Sequence, residues 1–93
     1  MKRAVFLDRD GTLIVDKDYL KSPAEVEIFR GAPGALRRLM EAGFLLFMVS
    51  NQSGVGRGYF TMEDVQAVHT HLQSELAREG VRFTRIYVAP EAP

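Results

Sequence analysis

The sequence lacks cysteine and tryptophan, and it lacks an excess of charge of either sign. The absence of cysteine excludes disulfide bonds and thiolate-ligated zinc sites. Twelve basic residues balance twelve acidic ones, which argues against a dedicated nucleic-acid-binding protein. The longest apolar run, residues 44–49, is far shorter than a membrane span, and residues 4–7 are too short for a signal-peptide core. These absences predict a cytoplasmic protein that does not contact a membrane.

What is present indicates one globular unit. Hydrophobic residues make up 46% of the 93 residues, enough for a modest core and too many for a disordered chain. No repeat, low-complexity tract or flexible linker interrupts the sequence. We therefore expect a single domain over residues 1–93.

Three short apolar runs predict β-strands, at residues 4–7, 44–49 and 85–89. Each run is rich in strand-forming residues and ends at charged, polar or proline residues. The runs are apolar throughout rather than alternating, which is typical of strands covered on both faces of a parallel sheet.

A helix is predicted between the first two runs. Pro33 suits the first helical position, where its missing N–H costs nothing. Leu36, Leu39 and Met40 then recur at helical spacing, and Gly43 stands where a left-handed cap ends a helix.

A second helix is predicted between the second and third runs. Thr61 is a good N-cap residue, and Gly80 ends the pattern. One apolar stripe joins the two ends, at Val65, Val68, Leu72 and Leu76. Strands that alternate with helices indicate right-handed βαβ crossovers, and therefore an α/β fold with a Rossmann-like parallel sheet and flanking helices.

The first polar cluster, DRDGT, follows the first strand, at the sheet edge where open α/β sheets bind ligands. Asp8 and Asp10 offer the hard oxygen ligands that suit Mg²⁺, and a carboxylate can also attack phosphorus. Gly11 allows a sharp turn that would expose N–H groups to an anion. The alternative interpretation is an ordinary solvated turn, which a D-x-D-G pattern alone would favour.

The second polar cluster, SNQSGVGRG, spans residues 50–58 after the second strand. Ser50 and Asn51 supply hydroxyl and amide donors, and the glycines would permit close approach of the backbone to a phosphate. The spacing matches neither a dinucleotide fingerprint nor a P-loop. Taken alone, the segment could equally be a flexible surface loop.

The segments LDRDGTL and SNQSGVGRG together resemble the haloacid-dehalogenase superfamily, and more narrowly its heptose-bisphosphate and histidinol-phosphate phosphatase branch. The likeness extends over nearly the whole chain, including DRDGTLIVDKDYL and GYFT. It implies a haloacid-dehalogenase-like fold. It also implies Mg²⁺-dependent hydrolysis of a small phosphorylated metabolite, a sugar bisphosphate first and histidinol phosphate second, through an aspartyl-phosphate.

The resemblance implies a role for each matching residue. Asp8 is the expected nucleophile and a metal ligand, and Asp10 is the expected general acid and base with its carbonyl on the same metal. Ser50 and Asn51 are expected to hold the phosphoryl group. The other expected phosphate- or substrate-binding residues are Arg9, the flap residues Asp16, Lys17, Asp18 and Tyr19, and Gln52, Ser53 and Arg57.

The chain also departs from the family. The lysine and the acidic residues of the third and fourth motifs would lie beyond residue 93, so we expect an N-terminal half that stops after the third strand. Many members carry Cys-Pro-His, two ligands of a zinc loop, where this sequence has Ala89-Pro90-Glu91, so no zinc site is expected.

Two expectations about partners and activity follow from those departures. Without further strands the first strand is a bare edge, which predicts self-association or docking of a missing C-terminal half. The alternative function is a non-catalytic fragment that binds phosphate or Mg²⁺ weakly.

His69 and His71 point to different faces of one helix, which predicts that His69 is a partly buried packing residue rather than a metal ligand.

Overall fold

A parallel sheet of three strands organises the chain in the computed structural model, which describes residues 2–89. The strands are β1 (Arg3–Asp8), β2 (Phe44–Asn51) and β3 (Arg85–Ala89), in the order β1-β2-β3. β1 and β2 extend slightly beyond the predicted runs. The predicted α/β class and parallel pairing are confirmed.

Helix α1 (Ala32–Glu41) connects β1 to β2. Its first residue is Ala32, so Pro33 occupies the second helical position rather than the predicted first, where its missing N–H still leaves no bond unmade. Gly43 follows the helix with φ 94°, the predicted left-handed conformation.

The next connection contains two helices, α2 (Ser53–Gly56) and α3 (Met62–Ala77). The threonine hydroxyl of Thr61 accepts from the Asp64 N–H at 3.1 Å, and the Asp64 carboxylate accepts from the Thr61 N–H at 2.9 Å. This reciprocal capping fixes the start of α3 at the predicted residue. The predicted apolar stripe of α3 is buried.

Residues 13–29 form a hairpin-like excursion between β1 and α1. Ile14 pairs antiparallel with Ile28, and Phe29 donates its N–H to the Leu13 carbonyl at 3.0 Å. A 3-10 helix, Pro23–Glu25, lies within this segment. Leu13, Ile14 and Leu20 join the core, so the segment is anchored rather than a free loop.

Only one face of the sheet is covered within residues 2–89. Side chains of both long helices pack with Leu46 and Met48 in one core cluster. Consecutive right-handed crossovers in one direction place both helices on the same face. The opposite face carries Phe6, which is 61% exposed, and Tyr87, which is 44% exposed. The prediction that the strands are covered on both faces is therefore wrong for this part of the chain.

Strand β1 lies at one edge of this sheet and pairs with β2 alone among the described residues. No helix between residues 2 and 89 is long and apolar enough to cross a membrane. Pro90 and Glu91, on which the expected absence of a zinc loop rests, lie outside the described residues.

Candidate active site

The two polar clusters meet at the carboxyl ends of β1 and β2. The strand register pairs Asp8 with Val49, one residue before Ser50, and the Arg9 N–H donates to the Val49 carbonyl at 3.2 Å. A cavity of about 260 Å³ lies between them, and its lining is Asp8, Arg9, Asp10, Val49, Ser50 and Asn51. Parallel pairing thus brings together side chains that lie about forty residues apart in sequence.

The turn after Asp10 follows the predicted conformation, but one of its N–H groups is engaged within the chain. Gly11 has φ 80°, which glycine adopts without a steric penalty. Its N–H donates to the Ile14 carbonyl at 2.8 Å, so it is not available to an anion as the sequence suggested. The turn instead starts the excursion over residues 13–29.

A second cavity of about 280 Å³ adjoins the first and shares Arg9, Asp10 and Asn51 with it. Its far wall is the tip of the excursion and the start of α2. The remaining lining residues are Asp16, Lys17, Asp18, Tyr19, Leu20, Gln52, Ser53, Gly54 and Phe60. All four residues expected to form the flap therefore face this cavity.

Two flap residues are held by specific contacts. Tyr19 has φ 47°, an uncommon conformation for a non-glycine residue, and its ring lies edge-on to Tyr59 at 4.5 Å between centroids. The ammonium of Lys17 donates to the Glu25 carbonyl at 2.8 Å and lies 3.4 Å from the Glu27 carboxylate. These contacts tie the tip of the flap to its own stem and to the segment after α2.

The segment after β2 is ordered as a short helix, not as the flexible loop that the sequence left open. Gly54 in α2 is buried, and a β-carbon there would stand 2.5 Å from ring atoms of Phe60. At Gly54 the missing side chain therefore makes room for an aromatic ring, whereas the sequence predicted room for a phosphate. Arg57 is exposed at the end of α2 and is not among the residues that line either cavity.

Arg9 is only 2% exposed and forms a two-pronged ion pair with Asp10. Its Nε donates to Asp10 Oδ2 at 3.0 Å and its Nη2 to Asp10 Oδ1 at 2.8 Å. Such a fork restricts the rotation of the carboxylate as well as neutralising charge. The orientation of Asp10 in the cavity is therefore set by its neighbour in the chain.

Gln52 connects this ion pair to Ser50. With its amide oxygen toward Arg9, Gln52 accepts from Nη2 at 2.9 Å and Nη1 at 3.3 Å, and from the Ser50 hydroxyl at 2.6 Å. We adopt this orientation because the guanidinium only donates. The Ser50 hydrogen then points to Gln52 and has to rotate toward the cavity before it can reach a phosphoryl oxygen.

His69 completes the network from helix α3. Its Nε2 lies 3.2 Å from Arg9 Nη1, and the side chain is 6% exposed. Burial and then the Arg9 guanidinium lower the pKa of His69 from 6.5 to about 4, while the Asp10 carboxylate opposes the shift. The sequence predicted only a packing residue here, because nothing in the local pattern of α3 indicates Arg9 as a partner.

The carboxylates suit a hard divalent cation. Asp8 is exposed and Asp10 is about one-quarter exposed, both at the mouth of the first cavity. Mg²⁺ commonly takes one or two carboxylates and completes its shell with water and phosphate. Residues 2–89 contain no group of three acidic or histidine side chains placed to hold a metal. The donor chemistry thus fits Mg²⁺ with ligands drawn partly from solvent and substrate.

Comparison with known proteins gives relatives along nearly the whole chain. The D-glycero-beta-D-manno-heptose-1,7-bisphosphate 7-phosphatase of Haemophilus ducreyi is 40% identical over 93 residues, which cover 99% of this chain and 51% of that protein. No protein-family model matches the chain. The chain spans between about half and 62% of the length of the curated relatives that it matches.

Solved structures give the same result. The D,D-heptose 1,7-bisphosphate phosphatase of B. bronchiseptica, crystallised with magnesium and phosphate, superposes with a TM-score of 0.91 at 34% identity. The match covers 98% of this chain and 51% of that one. A had-like phosphatase from Mesorhizobium loti gives 0.90 at 37% identity, over 96% of this chain and 43% of the other.

The fold and the paired polar clusters thus define the class, and the resemblance noted in the sequence is confirmed. The chain has the fold of about half of a haloacid-dehalogenase-like phosphatase. Within that class, the Haemophilus ducreyi relative and the B. bronchiseptica structure are heptose-1,7-bisphosphate phosphatases.

Proposed function

We propose that this chain carries the nucleophile and the proton-transfer residue of a phosphomonoester hydrolase that acts on a sugar bisphosphate. One observation carries the proposal. Asp8, Asp10, Ser50 and Asn51 line a single cavity at the carboxyl ends of adjacent parallel strands. The names of the relatives support the same reaction class.

The chemistry assigned to the chain has two steps. A carboxylate oxygen of Asp8 attacks phosphorus, the bond from phosphorus to the sugar oxygen breaks, and Asp10, which enters this step as the carboxylic acid, gives that oxygen its proton. In the second step Asp10 takes a proton from water, whose oxygen attacks the phosphorus of the aspartyl-phosphate. Inorganic phosphate leaves, and Asp8 is restored as a carboxylate.

Charge on the transferring group needs neutralisation during both steps. The carboxylate of Asp8 and the backbone carbonyl of Asp10 would hold Mg²⁺, which supplies positive charge beside the phosphoryl oxygens. Hydrogen bonds from the Ser50 hydroxyl and the segment around Asn51 would orient the same oxygens. The B. bronchiseptica structure, complexed with magnesium and phosphate, supports the use of Mg²⁺ in this class of phosphatase.

The second cavity suits the part of the substrate that does not react. Charged and polar flap residues, with Ser53, surround a space of about 280 Å³ beside Asp10. A second phosphate and several hydroxyl groups need polar partners of this kind. Heptose 1,7-bisphosphate is the first candidate substrate because the relatives carry that name, and none of the relatives named above supports histidinol phosphate.

The contacts expected from Arg9 and Gln52 compete with the network described above. The Arg9 guanidinium already donates to Asp10, Gln52 and His69, and the Gln52 amide oxygen accepts from Arg9 and Ser50. We therefore assign the guanidinium and this amide oxygen to shaping the cavity, while the amide nitrogen of Gln52 stays a substrate-binding prediction. Arg57 remains a substrate-binding prediction that requires it to approach from outside the two cavities. The cytoplasmic location, the absence of a nucleic-acid partner and the single-domain organisation also stay predictions.

Replacing the nucleophile tests the proposal. Asp8→Asn in the full protein should abolish phosphate release from heptose 1,7-bisphosphate, while the exposed Glu41→Gln on α1 removes a charge away from the site and should not. Borohydride added during turnover should reduce an acyl-phosphate at residue 8 in the wild type only, as peptide mass would show. Phosphate release by Asp8→Asn at the wild-type rate would contradict the mechanism.

A second candidate function is weak binding of phosphate and Mg²⁺ without turnover. The observation that favours it is the lack of three clustered metal ligands among residues 2–89. Calorimetric titration with Mg²⁺ and inorganic phosphate, beside an assay with the sugar bisphosphate, separates the two functions. Binding that requires Asp8, with no hydrolysis, would support this second function.

A further inference from the structure

The guanidinium of Arg9 is enclosed by acceptors from three parts of the chain. A guanidinium carries five N–H donors and accepts nothing. The Asp10 carboxylate accepts hydrogen bonds from Nε and from one N–H of Nη2. The Gln52 amide oxygen accepts one hydrogen bond from each terminal nitrogen, and His69 Nε2 accepts from the second N–H of Nη1. Every donor of this buried cation is therefore satisfied, and the group has a single favoured orientation.

The position of His69 in this set is the unexpected one, because it lies 60 residues from Arg9 in the chain. Helix α3 brings it there through the burial of its stripe against the core. Since Arg9 can only donate, Nε2 of His69 has to be unprotonated, which leaves the hydrogen on Nδ1 and the ring neutral.

We propose that His69 is a positioning residue, which holds the Arg9 guanidinium through Nε2 and thereby fixes the Asp10 carboxylate for proton transfer. This inference rests on the proposed function, because it concerns the geometry of the residue that exchanges the proton. His69 does not line the cavity beside Asp8, so it acts through Arg9 and not on substrate.

The orientation of the Asp10 carboxylate depends on how firmly the Arg9 guanidinium is held. With the Asp10 carboxylate about one-quarter exposed, water alone would leave it free to rotate. The fork from Arg9 stops that rotation only while the guanidinium plane is itself fixed. Gln52 and His69 approach its other nitrogens and fix that plane, and the loss of either leaves a buried N–H without an acceptor.

Two substitutions separate this role from packing. His69→Leu keeps apolar bulk and removes the acceptor, whereas His69→Gln retains an acceptor oxygen at similar reach. We expect His69→Leu to lower kcat roughly 10- to 100-fold with little change in KM, as for other residues that orient a reacting group. His69→Gln should recover most of that loss. His71→Leu, on the same helix, should match the wild type.

Nitrogen NMR of the wild-type imidazole supplies a readout that does not depend on turnover. At neutral pH, His69 should show an unprotonated Nε2 and a protonated Nδ1. A protonated Nε2 would overturn the proposal even if His69→Leu failed to fold. Equal losses in His69→Leu and His69→Gln would also overturn it, because packing would then explain both.

The outcomes also separate this proposal from the one it rests on. A wild-type protein that hydrolyses no phosphomonoester contradicts the proposed function. An active wild type with an equally active His69→Leu contradicts the role of His69 alone.

Discussion

Cδ1 of Tyr19 lies 3.0 Å from the point where a β-carbon on Gly54 would stand. Two ring carbons of Phe60 lie closer still, at 2.5 Å. The flap and the segment after α2 thus pack directly on the backbone of α2. This contact closes the wall of the second cavity, and it needs a residue without a side chain at position 54.

Gly54→Ala should therefore destabilise the protein. The added methyl group has to displace aromatic rings, and overpacking of this kind costs roughly 1–3 kcal/mol. Urea unfolding measures the loss. Gly34→Ala in α1 is the matched control, because its β-carbon would meet nothing within 4 Å. That control should gain up to about 1 kcal/mol from helix propensity, and a Gly54→Ala variant as stable as the wild type would contradict the contact.

Arg9→Met should cost more than the loss of a surface ion pair. It leaves His69 and Gln52 without their donor and Asp10 without its counter-charge, which we expect to lower the free energy of unfolding by roughly 2–4 kcal/mol. Denaturant titration gives the value.

Arg37→Met provides the comparison for that substitution. Arg37 Nη1 lies 4.0 Å from the Glu79 carboxylate, and both side chains are about half exposed. Water already screens this pair, so its loss should cost less than about 1 kcal/mol. Equal costs for the two arginine variants would show that the Arg9 network contributes nothing specific.

His69 should make stability depend on pH between about 6.5 and 4. The Arg9 cation and the Asp10 carboxylate face the ring, and burial with Arg9 keeps the folded-state pKa near 4. Above pH 6.5 the ring is neutral in both states. As the pH falls below 6.5, His69 binds a proton in the unfolded chain but stays neutral in the folded protein. The free energy of unfolding at pH 5 is therefore lower than at neutral pH by roughly 1–2 kcal/mol.

His69→Gln isolates the contribution of His69 to the pH dependence of stability, because it removes the titrating group and keeps His71. The free energy of unfolding of the variant should change less between pH 7 and pH 5 than that of the wild type. Parallel pH profiles for the two proteins would mean that His69 titrates normally.

The open sheet face should promote self-association of the 93-residue chain. Phe6 stacks on Phe47 at 4.9 Å, and Phe47 on Tyr87 at 6.3 Å, which leaves an apolar strip across the sheet. Light scattering should show a concentration-dependent rise in mass that Phe6→Ser weakens. Phe29→Ser changes an exposed aromatic residue on the excursion and should leave the association unchanged. Identical scattering from the two variants would contradict a role for the sheet face.

The local elements could be predicted because their signals are local. Thr61 caps α3 through a residue three positions away, and Gly43 ends the first helical connection through its own φ angle. The strand runs and the parallel order follow from alternation with helices. Coverage of the sheet was mispredicted because an apolar run records only that its side chains avoid water. It does not record which segment covers each face.

The same distinction between local signals and tertiary packing applies to the candidate active site. Asp8 and Ser50 each lie at the carboxyl end of a strand, and parallel pairing is enough to bring their positions to one cavity. The partnership of Arg9 with His69 and the need for glycine at residue 54 were decided by tertiary structure alone. Both depend on how α2, α3 and the excursion over residues 13–29 pack on each other. The contacts of Arg9 with His69 and of Tyr19 with Gly54 join residues far apart in the chain, where no periodicity or spacing specifies the distance between side chains.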